Sequence, residues 1–419
     1  MPPFVRSAKS CCFNVVSWAY GSRKRTIAHI HTRDISLSAP DPDQGVSSAE
    51  YADFAISVRA RGLCGLREAS ALQVSNFISL RFAVPLAVFL CAGAGLLAPS
   101  VAEEAAAPPH HADDGFINPN GAAGPGPADF FFDRLRLASP ADQASRARVL
   151  GAEESLGGWQ ALSGDAVMWL GHASVLIRMG GVSLVVDPVF GARVSPLAAA
   201  GPARLAPSVL DGATMPLPDG ILITHDHYDH FEPEAVEALA SRGALACVAP
   251  LKVALSGLGC AHEFLMDWNE KTSIGPVTIT LLPAQHESGR GVFDRNTTLW
   301  ASYLISDGAR RVYVTGDTGY GPHLAEIGAH IAPVDLLVLS LGGYEPRDIN
   351  KGVHMNPQEA ARAAIELGAR KILLVHWGTY PLGNEEAADA IADFYAEAGR
   401  LGINPAAIMV LAIGGSAAF

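Results

Sequence analysis

The chain has 419 residues, 49% of them apolar, with 42 glycines, 28 prolines and a formal net charge of −12 at pH 7. That composition suits a loop-rich α/β protein with a sizeable core. The acidic balance argues against a nucleic-acid partner, which is held by basic surfaces. The six cysteines (Cys11, Cys12, Cys64, Cys91, Cys247, Cys260) form no Cys-x-x-Cys metal clip and no disulfide scaffold. Cys247 and Cys260 are expected as buried free thiols, with pairing in an oxidising compartment as the alternative.

Residues 1–80 show no sustained helical or strand period and carry scattered Arg and Lys. They read as a disordered extension, or as the result of a start placed too early, with translation beginning near Val74 or Leu80. Arg81 then precedes the apolar run FAVPLAVFLCAGAGLLAPSVA, residues 82–102. A basic residue, an apolar run and a small-residue ending form a secretory signal pattern. As a membrane anchor it is marginal against a span of roughly 20 residues. A signal would place the protein in the periplasm or envelope; without it the protein is cytoplasmic.

Residues 103–165 read as a linker and lid. The stretch 103–128 is rich in Pro, Gly and Ala, so His110 and His111 are expected as solvated linker residues. Phe130, Phe131 and Phe132 read as a lid packed on the following domain, with a membrane-contacting or substrate-entrance segment as the alternative.

From residue 166 to 419 the pattern is that of one catalytic domain. AVMWLGHASVLIRM, Gly180-Gly181 and VSLVVDPVF read as a β-hairpin, since paired glycines supply the positive φ of a tight turn. The strand ILIT leads to His225, and a helix over 233–243 follows. Further strands are expected at 277–284, 300–307, 310–317 and 335–341, then a helix at 357–368, a strand at 371–377, a helix at about 385–400 and a last strand at 407–413.

The candidate ligands stand at the ends of these strands. His225, His227, Asp229 and His230 follow ILIT, His286 follows VTITLLPAQ, Asp317 ends RRVYVTG and His376 ends KILLV. Strand ends of an open α/β sheet line one edge, where sites assemble. Imidazole and carboxylate suit zinc, and also iron or manganese. Asp317 is the natural bridge between two ions about 3.5–4 Å apart, which together acidify a water. The run His-x-His-x-Asp-His after an apolar strand is a specific signal, because a solvated loop has no reason to gather four such groups.

These residues, together with WLGHASVLIRMGGVSLVVDPVF, VTGDTGY, GGYEPR, HMNPQEA and HWGTYPL, make the chain resemble the metallo-β-lactamase superfamily over about 166–390. Within it the chain is most similar to N-acylphosphatidylethanolamine-hydrolysing phospholipase D and its bacterial relatives. The resemblance implies an αββα four-layer sandwich. It implies two zinc ions, one on His225, His227 and His286, the other on Asp229, His230 and His376, with Asp317 bridging. It also implies Asp229 and His354 at the reacting centre, Tyr228 and His354 near the substrate phosphate, and His172 and Asp187 orienting ligands. Glu345 and Arg347 are expected to close an internal salt bridge, with contact to substrate as the alternative. The segment 138–165 has no counterpart in this resemblance.

The function implied is cleavage of N-acylated phospholipids to phosphatidic acid and N-acylethanolamine. A lipid substrate, a membrane surface and a second copy in a homodimer are the candidate partners. A lactonase, thioesterase or β-lactamase-like hydrolase would use the same metal site, and a non-catalytic metal-binding envelope protein is the alternative from another class.

Overall fold

The computed structural model describes residues 107–122 and 147–419, apart from 198, 244 and 292, and the backbone of three strands in the first hundred residues. Those strands, β1 (Asn14–Tyr20), β2 (Arg23–His29) and β3 (Ile56–Ala60), pair antiparallel in the order β2-β1-β3. They lie in a unit, Met1–Ser100, separate from the unit Val101–Phe419. Strands therefore stand where the sequence showed no period. The signal or anchor expected at 82–102 and the lid at 130–132 lie outside the described residues. Among the described residues, no helix is long and apolar enough to cross a membrane.

The second unit opens on a small hairpin, β4 (His111–Ala112) with β5 (Gly115–Phe116), and on helix α1 (Ala152–Ala161). The first large sheet is built from β6 (Ala166–Gly171), β7 (Ser174–Met179), β8 (Val182–Val186), β9 (Gly220–Leu222), β10 (Ala246–Pro250) and β11 (His262–Met266), with helix α2 (Pro233–Ala240) between β9 and β10. The run 166–179 is thus not one strand of a hairpin but two strands. The chain reverses at His172 (φ 51°), and a second reversal follows at Gly180-Gly181 (φ 57° and 81°). The apolar pattern runs through both sides of the first turn and hides it.

The second sheet comprises β12 (Lys271–Ile274), β13 (Val277–Leu282), β14 (Ser302–Ser306), β15 (Arg311–Val314), β16 (Val334–Ser340) and β17 (Ala369–Val375), closed by the short β18 (Ile408–Met409). Helices α3 (Pro322–Ile331), α4 (Arg347–Asn350), α5 (Pro357–Glu366) and α6 (Ala387–Arg400) lie among these strands in the chain. The last strand, β19 (Ser416–Ala418), crosses back to pair antiparallel with β6. Each sheet has seven strands, in the orders β11-β10-β9-β8-β7-β6-β19 and β12-β13-β14-β15-β16-β17-β18.

Strand alternation explains the layering. Val167, Trp169, Val175 and Ile177 face the core shared with Ile279, Tyr303 and Ile305 of the other sheet. Met168, Leu170 and Leu176 face the opposite way, onto Val236 and Leu239 of α2. Both faces of β6 and β7 are therefore buried, which is why they read as unbroken apolar runs. Helix α5 packs on β16 and β17 and on α6, completing an α-β-β-α sandwich. This is the expected four-layer fold, with one correction: the candidate ligands are drawn from the ends of two facing sheets, not from one edge of an open sheet. Across the seam, the Tyr303 hydroxyl donates to the Ile223 carbonyl at 2.6 Å.

Cys247 of β10 and Cys260 form a disulfide across 13 positions, so the free-thiol expectation is corrected. The loop between them returns the chain to pair β11 beside β10, which brings the sulfurs together.

Candidate metal centre

The seven candidate ligands all meet at the seam. His225 to His230 turn out of β9, while His286, Asp317 and His376 follow β13, β15 and β17. The distances are short enough for shared ions. His227 Nδ1 lies 2.9 Å from His225 Nε2 and 3.2 Å from His286 Nε2. Asp317 Oδ2 lies 3.1 Å from both His230 Nε2 and His376 Nε2, and 4.0 Å from His286 Nε2. Asp229 Oδ2 lies 3.4 Å from both His230 Nε2 and His376 Nε2.

The positions of the protons decide what these contacts require. The Thr224 hydroxyl donates to Asp187 Oδ2 at 2.7 Å, so its lone pair accepts from His225 Nδ1 at 3.0 Å. His286 Nδ1 donates to the Val353 carbonyl at 3.0 Å. With those protons committed, His225 and His286 both turn bare Nε2 lone pairs toward His227. Likewise His230 Nδ1 donates to Asp187 Oδ2 at 2.7 Å, leaving its Nε2 to face the two carboxylates, where a proton or a metal ion is needed. Lone pairs facing one another, or facing carboxylate oxygens, are reconciled by a cation between them. Asp317 Oδ1 is also buried without a hydrogen-bond partner among the described residues. The donor set therefore fits a metal site.

The electrostatics divide the centre in two. Burial holds the imidazoles of His227 and His286 down, to about 4 and about 3, and depresses His225 as well. They stand as neutral ligands. At His376 burial also opposes charge, but the Asp317 and Asp229 carboxylates outweigh it and raise the ring to about 9. His230 is raised in the same way. One half offers neutral nitrogen, the other an acidic cage that draws positive charge.

Two further residues brace these groups from behind. His172 Nε2 donates to Asp229 Oδ2 at 2.9 Å, and its own backbone N–H is held by Thr379 Oγ1 at 2.8 Å. Asp187 is fixed by the Thr224 backbone N–H and hydroxyl, both at 2.7 Å, before it reaches His230. His172, Asp187 and His376 all have left-handed backbones, with φ of 51°, 45° and 67°. Side chains other than glycine rarely adopt that conformation, at a cost of order 1–3 kcal/mol each.

His354 stands beside the cluster, its Nδ1 3.8 Å from Asp317 Oδ2 and its ring 5.2 Å from that of His286. Burial lowers it to about 3, so it is a neutral imidazole. Tyr228 is built into the wall: its hydroxyl donates to the Arg290 carbonyl at 2.9 Å and its ring lies 3.9 Å beneath the Arg290 guanidinium. Arg347 pairs with Glu359 at 2.8 Å, not with Glu345 as expected, because Glu345 Oε2 accepts from the Arg347 backbone N–H instead.

The segment 107–122 is not the solvated linker expected. His110 and His111 are not solvated; each donates Nε2 to a different oxygen of Asp267, at 2.6 and 2.7 Å, and His110 stacks on Trp268. Phe116 enters the main core. A Pro/Gly-rich stretch without a period gives no sign that an apolar anchor and a histidine pair fasten it down.

Comparison with known proteins agrees with this architecture. The Beta-lactamase superfamily domain matches residues 183–377. An uncharacterised protein of Mycobacterium bovis is 38% identical over 224 residues, covering 52% of this chain and 59% of the relative. The chain thus spans less than two thirds of that relative's length. The N-acyl-phosphatidylethanolamine-hydrolyzing phospholipase D 1 of Caenorhabditis elegans is 35% identical over 239 residues, covering 54% of this chain and 67% of that protein. A UPF0173 metal-dependent hydrolase of Nitratidesulfovibrio vulgaris is 30% identical over 224 residues, covering 52% and 81%. With its two-sheet sandwich and a histidine–aspartate cluster at the seam, this chain belongs to the metallo-β-lactamase superfamily.

Proposed function

We propose that the protein is a metal-dependent hydrolase, and specifically a phospholipase D-type phosphodiesterase acting on N-acylated phospholipids. The observation that carries the hydrolase reading is the convergence of bare imidazole lone pairs and two carboxylates on one small volume. The lipid substrate is supported by the similarity to the C. elegans phospholipase D named above.

His225, His227 and His286 would hold one zinc ion, and Asp229, His230 and His376 the other, with Asp317 facing both. Two divalent ions in such a site lower the pKa of a water and polarise a phosphoryl oxygen. The protein's own groups do the rest. Asp187 and His172 fix the tautomer of His230 and the direction of Asp229. Asp229 orients the attacking water. His354, neutral and at the margin of the cluster, donates a hydrogen bond to the phosphate or to the departing oxygen. Tyr228, braced by Arg290, shapes the wall on which the headgroup rests.

The envelope is the proposed location, reached through residues 81–102, and the Cys247–Cys260 disulfide is compatible with an oxidising compartment. The test is product identification with zinc-loaded protein on N-acylated phospholipid, unmodified phospholipid, lactone, thioester and β-lactam. Release of phosphatidic acid and N-acylethanolamine is the expected result. Turnover of lactone or β-lactam alone would move the assignment to those esters and amides. Inertness toward all of them would favour a non-catalytic metal-binding role.

A further inference from the structure

Segment 107–122 lies outside the matched superfamily domain, yet it reaches into the metal centre. The Asn118 side chain, buried at 7% exposure, pairs with the backbone of His286. Its Nδ2 donates to the His286 carbonyl at 2.8 Å, and its Oδ1 accepts from the His286 N–H at 3.2 Å. The second Nδ2 hydrogen goes to the Ala122 carbonyl at 2.9 Å. These three bonds fix the amide's orientation, since exchanging its O and N would set donor against donor. Asn120 adds a side-chain contact at the neighbouring residue, donating to Gln285 Oε1.

His286 is consequently held at three points. Asn118 fixes both backbone groups and Val353 takes the Nδ1 proton, so only Nε2 remains to face the cluster. The segment itself is tied down independently. His110 and His111 clasp the two oxygens of Asp267. The Phe116 N–H donates to the Asn296 carbonyl at 2.8 Å, at a point where a Cβ on Gly115 would lie 2.1 Å from that oxygen. A side chain there would push the segment off.

We infer that Asn118 is a positioning residue for the metal ligand His286, and that residues 107–122 are a strap completing the centre from outside the superfamily domain. The inference rests on the metal-centre reading above. It assigns Asn118 no contact with substrate; its effect is on where Nε2 of His286 points.

The test is zinc affinity, measured on the full chain by competition with a chromophoric chelator. Asn118→Ala is expected to weaken one of two ions by about 10–100-fold, the range for residues that orient ligands. Asn118→Asp, which can still accept from the His286 N–H but repels its carbonyl, falls between Ala and wild type. His286→Ala weakens the same ion, and adding Asn118→Ala to it brings little further loss at that ion. A merely structural Asn118 would lower the melting temperature of zinc-free and zinc-saturated protein alike and leave both affinities intact, which overturns the inference. Wild-type protein that takes up no zinc overturns the metal-centre reading and this one together. Two ions in wild type with unchanged affinities in Asn118→Ala overturn this one alone.

Discussion

The backbone N–H of His376 donates to the carbonyl of His172 at 2.9 Å, although the two residues belong to different sheets. Their rings lie 4.0 Å apart, one facing Asp317 and Asp229, the other holding Asp229 in place. The seam is therefore where the two halves of the sandwich are joined by the same residues that form the centre. Removing Asp317, which faces both halves, is expected to empty it: Asp317→Ala should bind neither ion tightly and lose activity to background. Metal analysis of the dialysed protein, alongside turnover, checks this. Full metal content and activity in that variant would remove Asp317 from the bridging position.

Asp187 acts on His230 through one proton. Replacing it with Asn keeps the size but offers an amide that can turn its NH2 toward His230 Nδ1 and drive the ring to the wrong tautomer. Asp187→Asn is expected to weaken metal binding by about 10–100-fold while leaving the fold intact. Zinc titration followed by circular dichroism separates the two effects.

Metal-free protein should have a narrow pH range of greatest stability. Burial lowers His172, His286 and His354 to about 3, and His227 and His323 to about 4, from the ordinary imidazole value of 6.5. Between those values the unfolded chain binds more protons than the folded one, so stability falls as pH drops from 6.5 toward 4. His376 works in the opposite direction: raised to about 9, it contributes stability below 6.5 that is lost as pH rises through 9. A tenfold change in one group's proton affinity is worth on the order of 1 kcal/mol. Thermal melts of chelator-treated protein from acid through alkaline pH should show a maximum near neutrality, and a flat profile would contradict the neutral imidazole cluster.

The disulfide closes a loop across 13 positions beside the edge strand β11. Loop-closure entropy for that length amounts to about 3 kcal/mol. Cys247→Ser with Cys260→Ser should lower the melting temperature accordingly. Zinc stoichiometry should stay unchanged, since both residues pack on the α2 side of the first sheet. Thiol titration of native and denatured wild type confirms whether the pair is oxidised.

What can be read from the sequence follows from range. His225 to His230 lie within one short loop, and His286, Asp317 and His376 each follow an apolar strand, so local pattern is enough to nominate them. The reversal at His172 is easily overlooked because β6 and β7 are buried on both faces, and only the short break Gly171-His172-Ala173-Ser174 separates their two apolar runs. The strap is hidden for a different reason. Its anchors, Asp267 and Asn296, stand more than a hundred residues downstream, and nothing near His110 or Asn118 announces them. The Cys247–Cys260 pair depends on the return of the chain to β11, which composition does not encode.

The left-handed backbones of His172, Asp187 and His376 carry an implication for engineering. Glycine would relax all three, so a stabilisation scheme guided by conformational comfort would select glycine at each and delete the groups that steer the cations. Thermal robustness and chemistry compete at these positions, and a variant library that gains heat resistance there should be expected to lose its metal first.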